Sequence, residues 1–150
     1  MTDTTTPCRG AAPVGRLADL PPHEAAAVVA MREWTGTPPA EPAEVARGAY
    51  YMGQILDALQ HFGRRPLMRH HVGCRCLGAD EACLAQLIGS AAEGAREDAM
   101  MIACLLVRAD AAPILADIAQ MAALHLQREG RAPRGQDRPD PTCPARPVLH

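Results

Sequence analysis

Residues 45–62 of the 150-residue chain read VARGAYYMGQILDALQHF and carry apolar residues at helical spacing. Five of them alternate steps of four and three positions: Val45, Ala49, Met52, Leu56 and Leu59. Such steps place side chains on one face of a helix, which is the pattern of a bundle seam. Pro42 lies just before the segment and Gly63 just after it, at positions typical of a helix start and a helix end. The pattern predicts an amphipathic helix over residues 42–62.

Four further segments predict helices around this one. They are residues 22–34, a segment that begins with Asp80 as its N-cap, residues 95–107 and residues 110–129. Gly89 and Gly94 leave open whether the Asp80 helix and the next one form a single bent helix. Residues 95–107 are apolar on all sides, which favours a central place in a bundle. In the last segment, one face carries Ile114, Ile118, Met121 and His125.

Residues that favour strands are scarce and never alternate with polar ones. We therefore predict an all-α fold, a four- to five-helix bundle that forms one domain over residues 20–129. The two ends differ in composition from this middle part. Residues 1–19 are rich in Thr, Pro, Gly and small side chains, and residues 130–150 are rich in Pro and Arg. Both are predicted to be disordered tails, and Cys8 and Cys143 within them are left out of any predicted site.

The composition excludes several classes of function. All 15 basic residues are Arg, so a phosphate-binding P-loop lysine and a Schiff-base lysine are both impossible. The formal net charge of −2 does not suit a nucleic-acid binder. No apolar run approaches the roughly 20 residues that cross a bilayer, and the first residues do not form a secretory signal. We expect a cytoplasmic protein that does not associate with membranes, and a non-enzymatic one, because no catalytic motif stands out.

Residues 63–79 form a long connection that concentrates the chemistry of the chain. It contains His70, His71, Cys74 and Cys76, and Cys83 follows at the start of the next helix. Thiolate and imidazole are the ligands that zinc prefers, and they also suit iron. The candidate metal ligands are therefore Cys74, Cys76 and Cys83 with His70 or His71. Two residues on later helices are longer-range options: Cys104 and His125.

Two other interpretations of this connection stay open. Arginines beside the cysteines, and the start of a helix at Cys83, would lower thiol pKa values, as in a redox sensor that forms a disulfide. The cysteines could equally be reduced, buried and without chemical function. The connection also carries a basic patch that could meet an anion or an acidic partner, or serve solubility alone. The patch consists of Arg64, Arg65, Arg69 and Arg75.

The function predicted from the sequence is a small helical accessory or regulatory protein that acts through a protein partner. Self-association through the Val45–Leu59 seam is one form this could take. The alternative is a metal-binding (zinc or iron) or thiol redox-sensing protein that uses the cysteine–histidine cluster. A small cysteine-dependent enzyme, with Cys74 beside His70 or His71, is a third hypothesis.

Overall fold

The computed structural model describes residues 9–38, 40 and 47–130. This part of the chain forms five helices: α1 (Pro22–Glu33), α2 (Arg47–Phe62), α3 (Ala79–Ala92), α4 (Arg96–Leu106) and α5 (Ala112–Gly130). It also forms two short strands, β1 (Pro13–Arg16) and β2 (Cys76–Gly78), which pair antiparallel. The all-α prediction is confirmed, with this small ribbon as an addition. In the described ranges, no helix combines the length and the apolar character needed to cross a membrane.

Local signals set most helix ends within one or two residues of the prediction. The Gly63 N–H donates to the Leu59 carbonyl at 3.0 Å and ends α2. Gly94 has a φ of +75°, so the chain turns there and α3 and α4 are separate helices. The N-cap prediction for Asp80 is wrong, because α3 is capped at Gly78. The Glu81 carboxylate accepts the Gly78 N–H at 2.9 Å, which is half of a capping box.

The core is organised around α5 and α3. α5 packs against the other four helices, and α3 packs against α1, α4 and α5. Alanines dominate the buried face of α5, so its backbone can approach its neighbours closely: Ala112, Ala116, Ala119, Ala122 and Ala123. The large side chains of the core come mainly from α2, α3 and α5: Met52, Ile55, Leu84, Leu87, Ile88 and Leu115.

Three predictions about helix faces are corrected. α4 is not central, because Met101 is 62% and Leu105 is 73% exposed. The predicted α5 face is partly exposed at Ile114 and Met121, because the alanine face of that helix fills the core instead. The α2 seam does pack, but inside the single chain. Of its described residues, Met52, Leu56 and Leu59 are buried in the core and Ala49 is exposed, so most of the seam is not a free surface for self-association.

The predicted N-terminal tail extends too far into the chain. Residues 9–19 form a 3-10 turn, β1 and a second 3-10 turn, with Gly10 and Ala11 buried. In the ribbon, Gly15 pairs with Leu77 and Arg16 with Cys76. β1 and β2 lie some sixty residues apart in sequence, so no local pattern predicts that they pair. Residues 1–8 and 131–150, and the helix start predicted at residues 42–46, lie outside the described residues.

Candidate functional site

The long connection between α2 and α3 is held in place by the first turn of α3. We call residues 63–75 the crossover. Asp80 and Glu81 both lie in that first turn, and both are buried. Buried carboxylates are tolerated only when they are paired and hydrogen-bonded. Each of these two binds an arginine and backbone N–H groups, and together they fix the path of the crossover.

Glu81 and Arg32 form an ion pair with no solvent exposure of either side chain. Arg32 Nε donates to Glu81 Oε1 at 2.7 Å, and Arg32 Nη2 donates to Glu81 Oε2 at 2.8 Å. The same guanidinium donates to the carbonyl oxygens of Cys74 and Cys76, both at 2.6 Å. Glu81 also accepts the backbone N–H of His70 and that of Gly78, each at 2.9 Å. One ion pair thereby ties α1, α3, the crossover and β2 together.

Asp80 holds the first half of the crossover. Its carboxylate accepts Arg65 Nη1 at 2.8 Å, Arg65 Nη2 at 2.6 Å and the Met68 N–H at 2.7 Å. The bidentate pairing fixes both the position and the plane of the guanidinium. The N-terminal 3-10 turn packs closely against this carboxylate. Gly10 leaves no room for a side chain there, since a Cβ on it would collide with Asp80 Oδ2.

The pKa values of both carboxyls follow from these contacts. Burial by itself raises the pKa of Glu81, but the hydrogen bonds from Arg32, Gly78 and His70 outweigh it and lower the pKa below the ordinary value. The same balance holds at Asp80, where Arg65 and the Met68 N–H lower the pKa against the effect of burial. Both groups are therefore charged at neutral pH.

The structure brings two of the predicted metal ligands into contact. Cys74 Sγ lies 3.6 Å from His70 Nδ1, and His70 Nε2 lies 2.8 Å from the Ala11 carbonyl oxygen. Since only a protonated nitrogen can donate to a carbonyl, this contact places a proton on Nε2, and in a neutral ring Nδ1 is then the acceptor for the thiol. Both residues are buried, and the His70 ring contacts the N-terminal 3-10 turn at Ala11.

The other predicted ligands do not complete a site. His71 is exposed and accepts the Gly73 N–H at 3.2 Å. Cys76 is half-buried beside Cys74, whereas Cys83 is exposed on α3 near Asp80 and Arg65. Across the residues that the structure describes, no three His, Cys, Asp or Glu side chains are arranged to hold a metal ion.

The remaining candidates have other surroundings. Cys104 is half-buried on α4, and His125 is half-buried and stacks on Tyr51 with ring centroids 5.4 Å apart. The redox hypothesis required lowered thiol pKa values. Burial instead raises the pKa of Cys76, and the neighbouring Cys74 raises it further. Partial burial and the charge of Asp80 raise the pKa of Cys83.

A cleft of about 510 Å³ lies between the first half of the crossover and the C-terminal ends of α1 and α2. We call it the arginine cleft. Its apolar wall consists of Met31, Trp34, Leu56, Leu59, Pro66 and Leu67. Its polar lining consists of Gln60, Arg64, Arg65 and Arg69, with Gly63 between them. Three of the four arginines of the predicted basic patch thus meet in one cleft, and Arg75 lies outside its lining.

Two of the cleft arginines are anchored by the ends of helices. Arg69 Nη1 donates to the Met31 carbonyl at 2.8 Å and to the Trp34 carbonyl at 2.6 Å, where α1 ends. Arg64 Nε donates to the carbonyls of Cys104 at 2.8 Å and Val107 at 3.0 Å, where α4 ends. Cations near the C-terminus of a helix are favourable, because the last carbonyls have no partner within the helix.

Two features that organise this region are not evident from the local sequence. Arg32 and Glu81 are separated by 49 positions and were not singled out. The arginine cleft was seen only as a run of positive charge, without its apolar wall. One signal could have pointed to buried pairing: the crossover holds four arginines and no acid, while two acids open the next helix.

Comparisons with protein-family models, with curated proteins and with solved structures find no match to this chain. A functional proposal for it therefore depends on its own side-chain geometry.

Proposed function

We propose that the protein is a non-enzymatic helical binding module that acts through a protein partner, and that the arginine cleft receives a segment of that partner. One observation carries the proposal. A concave, largely apolar wall next to three arginines forms a cleft of about 510 Å³. Ligand sites in proteins have volumes of about 300–1,000 Å³ and the same mixture of an apolar lining with a few polar groups.

The cleft is also well ordered for binding. Arg64 and Arg69 are each held by two backbone carbonyls, and Arg65 is held by Asp80. A ligand would therefore meet arginine side chains that have already lost much of their freedom, which lowers the entropic cost of binding. Arginine and tryptophan are the residue types that contribute most often to binding hot spots.

The position of the thiols supports a non-enzymatic role. Cys74 and His70 are the nucleophile and base that the sequence offers, and they are 6% and 5% exposed. A substrate would therefore have to displace neighbouring residues before it reached the sulfur.

Photo-crosslinking from two glutamines tests the proposal. Gln60 is exposed in the lining of the cleft, and Gln86 is exposed on α3. Each is replaced in turn by a photoreactive amino acid, and the full-length variants are irradiated in an extract of the source cells. The expected result is a discrete protein adduct from position 60 that is absent from position 86. The absence of an adduct at position 60, or the same adducts from both positions, would contradict the proposal.

Metal binding is a second candidate function, favoured by the contact between His70 and Cys74. A nitrogen and a sulfur on one tetrahedral zinc lie about 3.5 Å apart, given zinc bonds of about 2.0–2.3 Å. The observed separation is 3.6 Å, and the other ring nitrogen of His70 already contacts a carbonyl, as it does in many metal-bound histidines. Zinc and iron analysis of protein purified without chelator tests this. About one metal per chain, lost in Cys74→Ser but kept in Cys83→Ser, would support it; a metal-free protein would end it.

A further inference from the structure

We propose that the partner segment bound by the arginine cleft carries a carboxylate side chain next to an apolar anchor. This inference rests on the proposed function and adds the chemistry that the partner must have. Two features of the cleft support it: two of its arginines are not paired with a carboxylate among the described residues, and the wall beside them is apolar.

The cleft carries more positive charge than its own surroundings cancel. Its lining, as far as the structure describes it, contains three arginines and no acid. Arg65 is neutralised by the bidentate pairing with Asp80. Arg64 and Arg69 bind only carbonyl oxygens, which hold a guanidinium but carry no full negative charge. Among the described residues neither of them is paired with a carboxylate, so two positive charges remain for a ligand.

These two guanidiniums also keep donors for a ligand. In their hydrogen bonds to other described residues, Arg64 uses only its Nε and Arg69 uses only one terminal nitrogen. Arg64 is exposed, and among the less exposed described residues, Arg69 included, no polar side-chain atom is both fully buried and unsatisfied, so the other N–H groups of the two arginines are within reach of solvent. The planar fork of a guanidinium matches a carboxylate in a bidentate way, and the carbonyl anchors orient that fork before the ligand arrives.

The apolar wall adds the second half of the specificity. Trp34, Leu56 and Leu67 face the same cleft as the arginines. A free inorganic anion would leave this wall in contact with water, whereas an apolar side chain would bury it, at roughly 25 cal/mol for each Å² removed from water. The lining therefore favours a peptide with a Glu or Asp beside Leu, Ile or Phe over a free anion.

The chain provides its own reporter for the test. Trp34 is the only tryptophan, lines the cleft, and donates from Nε1 to Gln60 Oε1 at 3.3 Å. Its fluorescence is measured during titration with an array of synthetic octapeptides that permute two Glu and two Leu positions among serines. Two matched arrays replace Glu by Gln or Leu by Ser, and inorganic phosphate is the free-anion probe.

We expect saturable changes in Trp34 fluorescence with Glu/Leu peptides, and binding at least about tenfold weaker for both matched arrays. Arg64→Gln and Arg69→Gln should each weaken binding by about tenfold, whereas Arg128→Gln, at an exposed position on α5, should not. Because Arg64 and Arg69 cap helices, a second pair of variants leaves the caps intact. Leu67→Glu adds a carboxylate to the wall and should abolish binding, and Leu105→Glu, on the exposed face of α4, should not.

Several results would overturn the inference. They are equal binding of the Gln peptides, equal binding of the Ser peptides, saturation by phosphate alone, and no binding by any Glu/Leu peptide to a folded protein. None of them removes a partner crosslinked from position 60, so the binding function could survive while the proposed peptide chemistry fails. The absence of that crosslink, in contrast, would remove the function itself.

Discussion

Replacing Glu81 with Gln perturbs the contact that holds four parts of the fold together. Each carboxylate oxygen accepts one bond from Arg32 and one from a backbone N–H: His70 at Oε1 and Gly78 at Oε2. An amide nitrogen placed at either position cannot accept, so Gln loses two of the four bonds in either orientation. It also leaves the fully buried charge of Arg32 without a counter-ion. Breaking a buried ion pair in this way costs about 3–5 kcal/mol.

That cost is a large part of the free energy of unfolding of a domain, which is about 5–15 kcal/mol. For a chain of this size, 1 kcal/mol shifts the melting temperature by about 2–4 °C, so Glu81→Gln should lower it by roughly 6–20 °C. Urea and thermal unfolding followed by far-UV circular dichroism measure both quantities. Trypsin gives a local readout, since Arg64, Arg69 and Arg75 are cleavage sites in the crossover. Cleavage there should accelerate.

The matched control is Asp117→Asn, which breaks the 2.7 Å ion pair with Arg96 on the surface. Those side chains are 62% and 55% exposed, and exposed pairs contribute about 0–1 kcal/mol. If Glu81→Gln destabilises the protein no more than this control, the Arg32–Glu81 pair does not hold the four parts of the fold together, and the reasoning is refuted. Unchanged trypsin cleavage would refute its role in fixing the crossover.

Three further predictions concern acid, a close approach and the thiols. The pKa values of Asp80 and Glu81 are lowered on folding, so the stabilisation that their charged forms provide is complete above the ordinary carboxyl pKa of about 4 and is lost as the pH falls below it. The free energy of unfolding, measured as a function of pH, should show this loss in acid. The Glu81→Gln variant should lose less stability over the same pH range. Gly10→Ala should lower the free energy of unfolding by about 1–3 kcal/mol, because the new Cβ would collide with the anchored Asp80 side chain. Gly15→Ala should lower it much less, because its Cβ would lie 3.8 Å from Leu77. Equal unfolding midpoints for the two variants would contradict the packing of the N-terminal turn on α3. Because the pKa values of Cys76 and Cys83 are raised, both thiols should react with iodoacetamide at neutral pH more slowly than a free cysteine thiol. Peptide mass spectrometry measures these rates. Faster alkylation would contradict the raised pKa values and favour the redox hypothesis.

The two halves of the candidate region differ in how far the sequence could predict them. The cysteine–histidine cluster was visible as a motif, yet only His70, Cys74 and Cys76 lie side by side, because His71 is exposed and Cys83 lies on an exposed face of α3. The arginine patch was visible as charge alone. Its apolar wall comes from α1 and α2, and no spacing within the crossover reveals that these helix ends converge on it.

The helices could be predicted from local patterns alone, because helical periodicity and glycine stops act between residues only a few positions apart. Which helix faces became buried depends instead on how the helices pack against one another. The alanine face of α5 enters the core while Ile114 stays exposed, since small side chains let four neighbouring helices approach one another closely. The tertiary structure also decided that Arg32 meets Glu81 and that β1 pairs with β2. Such contacts depend on how whole helices and strands are oriented, which no local pattern encodes.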